Sequence, residues 1–151
     1  MMQSSLAARE ACQQSLESAL LPQDVLSEAC LYAIPFLIEM TECSESCSLV
    51  YDLLLSICAC SMPGSYDQLI RRNGRLESLV VACRRRLQEG QAIFCRDVEN
   101  QVLSTVCRMN ALSVYCRVTE DNSERRGRLG RLLASVVDND LRAHIESWLQ
   151  D

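Results

Sequence analysis

Any chemistry in this chain has to begin from its single histidine, its ten cysteines or its clustered arginines. His144 lies in Asp140-Leu-Arg-Ala-His-Ile-Glu146. A general base needs a nucleophile or an acid placed around it, and these neighbours do not announce one. It reads as a hydrogen-bonded histidine on the polar side of the last helix. Neither the G-x-S-x-G elbow nor a phosphate-binding or dinucleotide glycine pattern occurs. Gly64, Gly74, Gly90, Gly127 and Gly130 fall instead where helices should stop or start. The expectation is a protein with no catalytic residue, not an enzyme.

Cys43, Cys47, Cys58 and Cys60 lie within 18 residues of one another. Four thiolates could hold a structural zinc, but the short-loop C-x2-C pairs are absent, and Cys43 to Cys47 has the i, i+4 spacing of a helix face. Cys12, Cys30, Cys83, Cys95, Cys107 and Cys116 mostly take inward helical positions, where cysteine behaves as a small hydrophobe. No metal and no cofactor are expected. Met1 to Leu20 has neither a basic start nor a continuous apolar run, and no window approaches the length of a membrane span. A cytoplasmic protein with reduced thiols is the corresponding expectation.

All fifteen basic residues are arginine. Those at Arg71, Arg72 and Arg75, at Arg84 to Arg86, and at Arg125, Arg126, Arg128 and Arg131 could track phosphates. The net charge of −5 and the lack of interleaved aromatics argue against nucleic acid and for solvated helix faces. Charge is unevenly placed: residues 1–70 carry nine acids against Arg9 alone, net −8, and residues 71–151 carry eleven acids and fourteen arginines, net +3. Such an acidic half either keeps the surface solvated or steers a basic partner. Asp24, Glu28, Glu39, Glu42, Glu45 and Asp52 fall around the ends and polar sides of three consecutive helices. They are the expected partner-binding residues.

The elements that must position these groups read as helices. At 151 residues, 48% hydrophobic, with five glycines and three prolines, the chain suits one domain with one core, residues 1–151. Leu6, Cys12 or Leu16, and Leu20 mark a first helix ending before Pro22. Pro22 opens a second, with Val25, Leu26, Ala29 and Cys30 as its stripe and Asp24 and Glu28 near its positive end. Pro35 predicts a break near Tyr32 to Pro35 and a new helix to about Thr41. Ser46 or Ser48 caps an all-apolar helix, Leu49 to Cys60, which should be the buried centre. Met62 to Ser65 stops it, Asn73-Gly74 breaks the chain again, and a helix from Leu76 to Leu87 ends at Gly90. Val98 to Cys116 continues, with Val102, Val106, Met109 and Val114 inward, and Thr119 to Arg126 is the longest loop. Helices Arg128 to Val137 and Asp138 to Leu149 follow, with Trp148 as an anchor. No segment alternates with period two. The fold class is all-α, a compact stack of eight or nine helices in HEAT/armadillo-like hairpins.

Tyr32-Ala-Ile-Pro-Phe-Leu-Ile-Glu-Met40, Leu53-Leu-Leu-Ser-Ile-Cys-Ala59 and Ala82-Cys-Arg-Arg-Arg-Leu-Gln-Glu-Gly90 together resemble small bacterial HEAT-like helical-repeat proteins. Their cysteine-rich fillings depart from that group's usual alanine and leucine. Several members look like immunity proteins of polymorphic or type VI secretion toxin systems. The resemblance implies a protein that binds a cognate toxin, such as a nuclease or another enzyme with a basic cleft, and occludes its active site. Asp138 to Asp151, with Leu141, His144, Ile145 and Trp148, also resembles the second homology segment of Bcl-2-type apoptosis inhibitors. That family's Asn-Trp-Gly-Arg segment is missing here. A helical-repeat scaffold or adaptor without a toxin partner is the remaining alternative.

Overall fold

A computed structural model of the chain describes residues 2–42, 47–62 and 64–150. Among them run eight α-helices: α1 (Met2–Leu20), α2 (Glu28–Met40), α3 (Cys47–Cys60), α4 (Leu79–Glu89), α5 (Gln91–Glu99), α6 (Thr105–Val118), α7 (Asn122–Ser135) and α8 (Asn139–Gln150). A two-stranded hairpin, β1 (Leu69–Arg72) and β2 (Arg75–Ser78), precedes α4. The all-α class expected from composition holds.

The centre is shared by α3 and α6, which pack against each other, while α5 and α8 close on α6 and α2 lies on α3 and α4. Along α6 every residue from Ala111 to Cys116 is buried, so this helix has no solvent side over that stretch. On α3 the buried set is Cys47, Val50, Tyr51, Leu53, Leu54, Ile57 and Cys58, as its all-apolar sequence requires.

Four expectations about boundaries give way, each for a local reason. Pro22 opens only a 3-10 turn, Pro22–Asp24, and α2 starts after Ser27. Helix α2 then runs through Pro35 without a break. An interior proline costs about 3 kcal/mol. The inner face of α2 buries Cys30, Leu31, Ile34, Leu37 and Ile38, at roughly 1.5–3 kcal/mol for each large side chain, so packing outweighs the lost hydrogen bond. The expected helix Val98 to Cys116 is divided because the Asn100 side chain accepts the Val102 amide (3.1 Å) and Ser104 caps α6 through the Cys107 amide (3.3 Å). Val102 and Val106 are thereby 86% and 58% exposed instead of inward, while Val114 is buried. The polar run expected as a loop from Thr119 to Arg126 is mostly the start of α7, with Asp121 accepting the Ser123 and Glu124 amides at 2.8 and 3.0 Å.

The hairpin is the one departure in element type. Asn73 (φ 50°) and Gly74 (φ 77°) both take left-handed conformations, as a two-residue hairpin turn demands. Leu69 pairs with Ser78 and Arg72 with Arg75. Only Ile70 on these strands is buried, so no period-two apolar pattern marks them. Ser78 also caps α4, accepting the Val81 amide at 3.0 Å, which moves the helix start from Leu76 to Leu79.

Two features tie the core together. The buried Asp97 carboxylate accepts the Tyr51 hydroxyl (2.7 Å) and Arg96 (2.9 Å), and Arg96 reaches on to Glu42 (3.1 Å). A buried carboxylate is tolerated only with such partners; burial and the neighbouring Asp97 hold the Tyr51 phenol well above its ordinary range. Second, Cys47 and Cys107 form a disulfide, against the expectation of reduced thiols throughout. Each sits in the first turns of its helix, and the packing of α3 on α6 brings their Cα atoms to 6.4 Å, within bridging reach.

Candidate protein-interaction face

With one side of α2 turned to the core, its opposite side faces outward. Glu28, Tyr32, Phe36 and Glu39 follow the i, i+4, i+8, i+11 spacing that places residues in one stripe on a helix. Tyr32 is 63% and Phe36 66% exposed, and Met40, beside them at the C-terminal end, is 48% exposed. Large apolar groups exposed in a row on one helix make this stripe a candidate contact surface. Both carboxylates on the stripe are exposed.

Met40 also belongs to a small apolar groove of about 170 Å³ between α1, α2 and α3, lined by Cys12, Leu16, Leu37, Leu49 and Leu53 among others. The sequence places Cys12 inward, but it is exposed here, as is Leu16 at 41%, while Leu20 is buried; the side chain of Leu6 lies outside the described residues.

The six acidic residues expected to bind a partner are not all brought together. Glu28 and Glu39 share the α2 stripe. Asp24 is exposed in the 3-10 turn, where its backbone carbonyl accepts the Cys60 thiol (3.2 Å). Glu42 is exposed but paired with Arg96. Asp52 accepts the Asn110 amide at 2.7 Å, and partial desolvation raises its carboxyl pKa, with Glu17 nearby adding to the rise. Glu45 lies outside the described residues. Tyr32 and Phe36 are not among the residues expected to bind a partner, because a helix broken at Pro35 would place them on different faces; their i, i+4 spacing up to Met40 carries the signal once the helix is continuous.

The other sequence candidates resolve differently. His144 is half-buried instead of on a polar surface: its Nε2 lies 2.8 Å from the Ser113 hydroxyl of α6, and burial lowers its pKa below 6.5. Leu141 and Ile145 of the same helix are buried and Trp148 is partly so. The Arg84 to Arg86 run is spent on carboxylates, Arg84 with Glu120 (3.2 Å), Arg85 with Glu77 (2.8 Å) and Arg86 with Glu89 (2.7 Å). Among the described residues no three His, Cys, Asp or Glu side chains converge to hold a metal ion, and Cys43 lies outside them. Burial pushes the thiols of Cys58, Cys83 and Cys116 up to about 12, which keeps them protonated.

Fold and face define an all-α module with an aromatic, acid-flanked outer helix. Comparison with protein-family models, curated proteins and solved structures gives no match to this chain. No described helix is long and apolar enough to cross a membrane.

Proposed function

We propose that the chain is an immunity-type binding protein without catalysis of its own, which docks the outer face of α2 on a cognate toxin in the cytoplasm and covers the toxin's active site. The exposed Tyr32-Phe36-Met40 row, flanked by Glu28 and Glu39, carries this reading. Covering both rings removes on the order of 200 Å² of apolar surface, about 5 kcal/mol before the costs of association. Aromatic anchors of this kind are where binding energy concentrates. The two carboxylates add attraction to a basic cleft such as that of a nuclease, and this attraction acts mainly on the encounter rate.

The test uses the product of the neighbouring open reading frame, purified and titrated against the full chain. Replacing Tyr32 and Phe36 together by alanine should weaken binding at least about a hundredfold, largely through faster dissociation. Reversing Glu28 and Glu39 to arginine should slow association, most visibly at low salt. Arg71→Gln should leave both rates alone. Unchanged affinity in the aromatic pair would sink the proposed face.

A further inference from the structure

A second concavity, of about 670 Å³, opens between the middle of α4 and the ends of α3, α6, α7 and α8, and its lining includes Arg84, Arg117, Glu120, Asn122, Arg125 and Trp148. Three arginines meet there in a chain whose net charge is −5. Glu120 neutralises Arg84, whose other guanidinium nitrogens reach the Arg117 carbonyl (3.2 Å) and the Met62 sulfur (3.8 Å). Among the described residues no carboxylate stands within ion-pair distance of Arg117 or Arg125. Arg125 donates one bond, to the Cys116 carbonyl (3.3 Å), and its Nε is buried with no partner. Two guanidinium groups that line one cleft with no carboxylate beside them among the described residues make a favourable place for an anion.

We infer that this cleft binds a small organic phosphate monoester with a planar ring, of mononucleotide size. The guanidinium forks of Arg117 and Arg125 suit a phosphate dianion, the Trp148 indole supplies an aromatic wall for a flat ring, the exposed side-chain amide of Asn122 offers both a donor and an acceptor to its edge, and the volume lies in the range of small-ligand pockets. The cleft shares no residue with the α2 face, so the inference stands apart from the proposed docking function.

Trp148 is the sole tryptophan, so its emission reports on the cleft directly. Titration of the full chain with adenosine monophosphate should change that emission saturably, with the same affinity by calorimetry. Adenosine and inorganic phosphate should each bind at least about tenfold more weakly, and Arg117→Gln and Arg125→Gln should each lose about tenfold, the usual worth of one charge-assisted bond. Arg71→Gln should bind as the parent does. Arg117, whose guanidinium holds no partner among the described residues, keeps the test open should Arg125→Gln disturb α7. Equal affinity for phosphate and the nucleotide, or no saturable change with either, overturns the inference.

Discussion

His144 sits where α8 meets α6, with Ser113 on one ring nitrogen and the Met109 backbone nearby. Desolvation favours the neutral imidazole, so its folded-state pKa lies below the unfolded value of 6.5. The unfolded chain therefore takes up this proton first as pH falls. Stability contributed by the neutral ring is complete above about pH 6.5 and is lost as pH drops through the lower folded value. Urea midpoints measured from about pH 7.5 to about pH 5 should fall in the parent and stay flatter in His144→Gln; parallel curves would remove the histidine from this account. The sequence reads His144 as a surface group on the polar side of the last helix, and its half-buried place against α6 was not legible there. Ser113, its partner, is 31 residues away on another helix.

At the scale of elements, connections decide more than helices do. Gly90 ends α4 and begins α5 with no residue between, and an added Cβ would stand 2.7 Å from both the Ile38 Cδ1 and the Phe94 Cζ atoms. Both neighbours are buried and cannot swing into water. Gly90→Ala should therefore cost about 1–3 kcal/mol despite alanine's better helix propensity, seen as a lowered thermal midpoint with an unchanged helical spectrum. A raised midpoint would mean that α2 and α5 are not packed this closely. The glycine stop was legible as punctuation, and so was Asn73-Gly74. What the punctuation joins was not: two short strands with a single buried residue between them carry no periodic signal. Asn100 and Asp121, by contrast, act through side-chain capping that a search for apolar periodicity passes over.

For the whole molecule, the Cys47–Cys107 bridge joins positions 60 residues apart. Closing a loop of that length stabilises a fold by about 4 kcal/mol on the chain-entropy account. A Cys47→Ser, Cys107→Ser chain, or the parent under strong reductant, should lose about that much in urea unfolding while keeping its helices. Reductant without effect on the parent would show that the bridge is absent in solution. The bridge holds the first turns of α3 and α6 together, while the Tyr51–Asp97 hydrogen bond ties α3 to α5, so the two restraints share α3 and bind it to different neighbours.

Composition and helical spacing determined the all-α class, the single core and the central role of α3, because burying an apolar face at period 3.6 is a local property of a chain. The same local logic misjudged Pro35, since its cost is set against burial by residues from three other helices. Only tertiary packing decided which acids share a face. Glu28 and Glu39 stay exposed on the α2 stripe with no ion-pair partner among the described residues, while Glu42 is drawn to Arg96, 54 residues away, and Asp52 to Asn110, 58 residues away. Charges are counted in sequence, but whether a charge is open to a partner depends on what the fold sets beside it.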